Sequence, residues 1–235
     1  MHVDAAIRSR KSVRRFQPWP VPRQTIEQLL ELAARAPSGS NTQPWTVQVL
    51  SGERKQALCQ DILRHVANRG TPRPEYTYYP EHWFEPYQGR RREVGFGLYE
   101  ALGIQRQDSA ARRLQELRNF SFFDAPVGLL ISLDRRLGTG SFIDIGMFVQ
   151  TFMLAARARG LHTCAQAAFA NYHDIVRQHV PLPAEQLLVC GIALGHEVHD
   201  AEENALTTPR ESTQAFASFH GFVDSISGGR HSMIV

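Results

Sequence analysis

The chain has 235 residues, 43% of them hydrophobic, and a formal net charge of +3, proportions ordinary for a globular chain able to bury a core, as one domain or two small ones. Its basic residues gather locally instead of forming a stripe with interleaved aromatics, which argues against nucleic-acid binding, and no run approaches the ~20 apolar residues that span a bilayer. Cys59, Cys164 and Cys190 lack CxxC spacing, so neither a disulfide framework nor a zinc cluster is expected; with no signal-peptide pattern, the expected compartment is the cytoplasm.

Val3 to Arg10 reads as a first helix with Ala5, Ala6 and Ile7 as apolar positions. It runs into Arg10-Lys11-Ser12-Val13-Arg14-Arg15-Phe16, where basic residues surround a hydroxyl. A phosphate monoester carries about −1.5 to −2 charges at neutral pH, and guanidinium forks match its oxygens in geometry and charge. The competing reading is a solvated helix end whose cations complement the dipole.

Beyond the Pro18 to Pro22 breaker, Ile26, Leu29, Leu30 and Ala33 have helical spacing within Thr25 to Ala34. That helix delivers a loop, Ala36-Pro37-Ser38-Gly39-Ser40-Asn41-Thr42-Gln43-Pro44-Trp45, and Thr46 to Leu50 then alternates like a half-buried strand. The loop's backbone N–H groups and short polar side chains suit a flat, heteroatom-rich ligand, although turns of this composition also serve as plain helix-to-strand joints. Pro37 and Gly39 are expected to set its backbone, while Gln43, Pro44 and Trp45 anchor it to the core.

A helix over Glu53 to Asn68 follows, with Ala57, Leu58, Ile62 and Val66 inward. Gly70 to Pro86 carries Tyr76, Tyr78, Tyr79, His82, Trp83 and Phe84, too aromatic for a linker and suited to a flap over a site or a partner contact. Arg90 to Leu102 and Ala110 to Arg118 read as helices. Gly95-Phe96-Gly97 lacks the preceding strand and third glycine of a dinucleotide fingerprint and is read as helix packing.

Val127 to Leu133 is a continuous apolar run of the kind that forms a central strand. Ser141 to Arg159 is apolar nearly all round, as expected of a helix at a domain centre or in a subunit interface. Gly160 ends it, Leu161 to Phe169 is a return segment of small residues, Tyr172 to Val180 a helix, and Gln186 to Gly195 a second buried strand. The tail, Ala201 to Val235, is polar around Asn204 and Arg210, then amphipathic, then loose near Gly228 and Gly229. Together these give a single α+β domain over 1–235 with a central mixed β-sheet flanked by helices, an insert at about 70–122 and a C-terminal extension from 200. His196-Glu197-Val198-His199-Asp200 lacks zincin spacing, so no metal site is expected; Cys164 reads as a buried, inert thiol.

Five ordered segments resemble one family, the flavin-dependent nitroreductases. They are Arg10 to Phe16, Ala36 to Trp45, Phe123 to Pro126, Gly160 to Cys164 and Asn204 to Arg210; the aromatic insert with Arg90 to Gly97 is most similar to nitrobenzoate-reductase-type members. The resemblance implies a nitroreductase-like fold and a homodimer with two FMN molecules at its interface. It places Arg10, Lys11, Ser12 and Arg14 on the ribityl phosphate, with Arg210 closing from the tail; a second basic residue of some members is Thr208 here. Pro37, Ser38, Gly39 and Asn41 would contact the flavin from the other subunit. Ala165, Gln166 and Ala167 would line the ring system, with the Ala167 backbone N–H donating to N5, and Asn119 or Arg118 would reach the pyrimidine edge.

The activity implied is ping-pong transfer of hydride from NADH or NADPH through FMN to a nitroaromatic or quinone-like small aromatic acceptor, without a catalytic side chain. The Tyr76 to Phe84 segment and Phe120 would cap the acceptor slot. The alternative is a same-fold flavin protein without nitro chemistry, either a flavin-fragmenting enzyme or a non-catalytic binder.

Overall fold

Four strands form the centre of residues 1–222, the part of the chain described by a computed structural model; the expected loose stretch at Gly228 and Gly229 lies outside the described residues. They are β1 (Thr46–Ser51), β2 (Val127–Asp134), β3 (His162–Gln166) and β4 (Gln186–Gly195), in the spatial order β1-β2-β4-β3. All three pairings are antiparallel. This corrects the mixed sheet read from the sequence: among the described residues the parallel contribution is one isolated bridge between Ser12 and Thr163. Continuous apolar runs report burial on both faces, and that signal carries no strand direction.

Both faces are indeed covered. Leu130, Leu188 and Ala193 pack with Leu58, Ile62, Phe122 and Phe169 on one side. Leu129, Ile131 and Ile192 pack with Leu29, Ile145, Phe148 and Phe152 on the other. Alternate residues of β2 therefore enter different cores, as the two-residue period of a strand requires.

The helices lie within a few residues of their sequence bounds. α1 (Val3–Ser9) leads to the basic segment, and α2 (Arg23–Ala33) buries Ile26, Leu29 and Ala33. α3 (Gly52–Ala67) buries Leu58, Ile62 and Val66, and with them Lys55. The insert holds α4 (Tyr87–Ala101), which buries none of its own residues, and α5 (Ser109–Leu117), which buries Gln115. Gly97 packs against the tail: a Cβ there would lie 3.2 Å from Leu206. α6 (Gly140–Ala158) buries Ile145, Phe148, Val149, Phe152 and Ala156. Its opposite stripe, Ile143, Met147, Gln150 and Leu154, stays at least partly exposed, so one chain satisfies only half of this apolar helix. α7 (His173–His179), α8 (Glu202–Ala205) and α9 (Thr213–Phe216) complete the described chain. No helix among the described residues is long and apolar enough to cross a membrane.

Candidate functional site

The basic segment after α1 is pinned on both sides. Val13 donates its backbone N–H to Thr163 of β3 at 3.1 Å, and the Arg14 and Arg15 N–H groups donate to the Asn204 side-chain oxygen at 2.7 and 3.2 Å. Arg10 is half-buried, and burial first, then the nearby Arg210 charge, lowers its pKa from the ordinary arginine value. Among the described residues, Arg10, Arg14 and Arg210 form no ion pair with a carboxylate. Arg210 instead donates to the Thr208 carbonyl and hydroxyl at 3.1 and 2.7 Å and to the Pro209 carbonyl at 2.8 Å. Like-charged guanidiniums held together without a counter-ion form an anion site, because a bound anion relieves both the repulsion and the desolvation.

Lys11 stands apart from that group. Its ammonium sits 2.9 Å from a Glu197 carboxylate oxygen and donates to the Asn204 carbonyl at 2.7 Å. Ser12 and Cys164 lie beside the guanidiniums; burial pushes the Cys164 thiol up, more than the Arg14 charge and the Ser12 hydrogen bond lower it, so the thiol stays protonated and unreactive.

The β3 wall comes next along the chain. Gln166 is buried, and its amide nitrogen donates to the Asn119 carbonyl at 2.7 Å and lies 3.4 Å from the Asn119 side-chain oxygen. The Gln166 side-chain oxygen is buried with no partner; an orphaned acceptor of this kind fits a ligand N–H. Ala167 opens a 3-10 turn, Ala167–Tyr172, and the first N–H groups of such a turn have no acceptor inside it. Ala165, Gln166, Ala167 and Asn119 share a cleft of about 340 Å³ with Tyr76, Tyr78 and Tyr79. Tyr76 is tethered there by its hydroxyl, which donates to the Val189 carbonyl at 2.6 Å.

Asn119 is thus brought to the wall, whereas Arg118 is not: its guanidinium lies 2.5 Å from Glu203 and 3.0 Å from Asp124. Phe120 corrects another expectation. It is buried edge-on to Tyr172 and Phe169, in the core rather than over a slot. Trp83 stacks obliquely on Tyr79 with the Arg91 guanidinium over its ring, behind the cleft-lining tyrosines.

The loop Ala36 to Trp45 lies elsewhere. Trp45 stacks on Phe148 at 4.9 Å and Pro44 is buried, as expected of anchors, but the Gln43 side chain is exposed. Gly39 donates its N–H to Asp144 of α6 at 3.2 Å and the Ser38 hydroxyl accepts from Gln43 N–H at 3.0 Å. The positive φ angles fall on Ser40, Asn41 and Gln43 rather than on Gly39, so three residues with side chains hold a conformation they rarely adopt. Space beside Gly39 is open, and Pro37, Gly39 and Asn41 are exposed.

Sequence reasoning missed Asp144, Glu203, the role of Asn204, and Glu197 as the partner of Lys11. A buried carboxylate on an apolar helix, at Asp144, was a readable signal; the others depend on contacts far apart in sequence.

A nitroreductase family model matches residues 7–196. A 4-nitrobenzoate reductase from Nocardioides sp. (strain LMS-CY) is 44% identical over 92% of this chain and 89% of the relative, and one from Pseudomonas putida is 40% identical over 93% and 96%. The solved structure of the FMN and NADPH-dependent nitroreductase NfnB from Sphigopyxis sp. strain HMH superposes with a TM-score of 0.91 at 37% identity, covering 94% of this chain and 100% of that one.

Proposed function

The chain belongs to the nitroreductase family, and from that premise we propose that it is a homodimeric FMN-dependent NAD(P)H oxidoreductase, acting as one domain in the cytoplasm on small nitroaromatic acceptors, with quinones as a second acceptor class. The observation that carries this reading is the group of Arg10, Arg14 and Arg210, cations without a carboxylate partner, set beside the small-residue wall of β3. FMN supplies the hydride chemistry when bound, in one half-reaction with NADH or NADPH and another with the acceptor.

The chain's own residues bind and orient. Arg10, Ser12, Arg14 and Arg210 grip the phosphate, and Lys11 acts indirectly, by fixing the segment to Glu197 and Asn204. Ala165, Gln166 and Ala167 line the ring system, with the Ala167 N–H directed to N5 and the unpartnered Gln166 oxygen accepting a ring N–H. Asn119 orients Gln166. Pro37, Ser38, Gly39 and Asn41 serve a flavin held mainly by the other subunit. Tyr76, Tyr78 and Tyr79 offer faces on which an aromatic acceptor stacks, a contact worth about 0.5–1.5 kcal/mol beyond burial.

Anaerobic addition of NADPH or NADH to the flavin-loaded protein is the test. Loss of the yellow colour, followed by its return on adding a nitrobenzoate, is expected. No bleaching by either nucleotide would sink the reductase reading and leave a flavin binder. Replacing Arg10 and Arg14 together with Ala should give pale, flavin-poor protein; a fully yellow double variant would refute the phosphate assignment.

A further inference from the structure

Two adjacent buried residues of the tail reach both ends of the candidate cofactor site. Asn204 is 1% exposed. Its side-chain oxygen accepts from Arg14 and Arg15 N–H, and its amide nitrogen donates to the carbonyls of Arg15 at 2.8 Å and Val198 at 2.9 Å. An amide has two donors and two acceptor lone pairs, so all four are used, three of them on the backbone of Arg14 and Arg15 at the end of the basic segment.

Glu203 is 3% exposed. Its Oε1 accepts from Arg15 Nε at 3.1 Å and from an Arg118 guanidinium nitrogen at 2.5 Å. Arg118 is the residue before Asn119, whose carbonyl receives the Gln166 amide. This buried carboxylate therefore ties the basic segment to the strand-side wall through two guanidiniums, and the more exposed Asp124 spans the same pair at 3.8 and 3.0 Å. A buried ion cluster contributes little net stability compared with apolar packing, but losing one partner leaves charges uncompensated and free to move apart.

We propose that Glu203 and Asn204 are positioning residues for cofactor capture: Asn204 sets the phosphate end of the site and Glu203, through Arg118, sets the Asn119–Gln166 end. This rests on the FMN reading above. The bonds of the Asn204 amide and of Glu203 Oε1 all go to protein groups, so the division of labour must be read from which part of the cofactor's affinity is lost.

The experiment titrates flavin-stripped full-length protein with FMN and, separately, with riboflavin, which has no phosphate, following flavin fluorescence. Asn204→Ala is expected to weaken FMN about tenfold and riboflavin less than about twofold, whereas Glu203→Gln weakens both by about tenfold. Should Asn204→Ala fail to fold, Asn204→Asp replaces it; the oxygen acceptor is kept, the amide donor is lost, and the same selective loss of FMN is expected. Unchanged affinities in either variant overturn the inference, and so does an equal loss of FMN and riboflavin in the Asn204 variant, which marks general loosening. Wild-type protein that takes up neither flavin overturns the FMN reading itself, and that outcome is distinguishable because it appears before any substitution is made.

Discussion

His162 shows how burial decides a charge state in this chain. Its Nε2 lies 3.3 Å from Glu197, which also receives Lys11. Burial lowers the His162 pKa to about 4, more than the Glu197 charge raises it, and the Arg157, Lys11 and His196 charges add to the lowering. An unfolded histidine takes its proton near pH ~6.5, so between these values the unfolded chain binds a proton that the folded chain refuses. Stability therefore falls as pH drops through that window. The Glu197 pKa is lowered as well: burial raises it, but the Lys11 bond and the His162 charge outweigh this. Its contribution is complete above the unfolded carboxylate value of ~4.3 and disappears as pH falls through the folded one. Glu203 adds to the acid loss in the same sense, since its backbone bond, Arg118 and Arg15 outweigh burial. The thermal midpoint is expected to fall by about 2 °C per pH unit between roughly pH 6.5 and 5. His162→Gln should flatten that slope while leaving the loss below about pH 4.3; identical slopes in the two proteins would remove His162 as its source.

The turn that enters β2 is the most constrained element. Phe122, Phe123 and Asp124 have φ of 53°, 53° and 68°, a left-handed run that costs of order 1–3 kcal/mol per residue and persists only where its surroundings hold it. Buried Lys55 bonds the Ala125 carbonyl, and Ala125 N–H returns to Phe122 at 3.0 Å. The Phe122 ring, fully buried, stacks on Phe169 at 4.2 Å, and the two rings lie over glycines of the sheet. A Cβ at Gly128 would be 2.6 Å from Phe122, and one at Gly191 would be 2.6 Å from Phe169. Neither ring can retreat without moving the other, so Gly191→Ala is expected to cost about 1–3 kcal/mol, read as a lowered urea midpoint with unchanged slope; an unaltered midpoint would mean that the stack yields freely. Both strands were legible in sequence as apolar runs, but their glycines gave no hint of aromatic rings above them. The basic cluster at Arg10 to Arg14 was legible too, because its charges are neighbours. What local composition could not supply was long-range pairing: Lys11 with Glu197, Arg118 with Glu203, and the antiparallel direction of the sheet. The loop's place between α2 and β1 was legible as well, but composition did not show that Ser40, Asn41 and Gln43 take the left-handed conformation.

At the scale of the whole molecule, α6 separates the two halves of the expected site. Its Asp144 holds Gly39 of the loop, and its Arg157 donates to the Ser9 hydroxyl at 2.9 Å, next to Arg10. At 1.5 Å per residue those attachment points are about 20 Å apart along the helix. One chain therefore offers a phosphate grip at one end of α6 and an exposed loop at the other, with a half-satisfied apolar stripe between them. In the proposed homodimer, a two-fold pairing on that stripe would set the loop of each subunit at the grip of its partner, an isologous arrangement. Ile143, 68% exposed, lies on the stripe, and Ile143→Glu should shift the protein toward monomer in sedimentation and release flavin together. A monomer that retains flavin would defeat the shared site. Complementation gives the sharper result. An Arg10→Ala, Arg14→Ala subunit lacks the grip, and a Ser38→Ala, Asn41→Ala subunit lacks the loop. In a mixed dimer one site combines both defects while the other combines an intact grip with an intact loop. Dissociating the two flavin-poor proteins and reassociating them as an equal mixture should restore about a quarter of the sites, because half of the dimers are mixed and each has one sound site. If grip and loop served a site within the same chain, every subunit would remain defective and mixing would restore none.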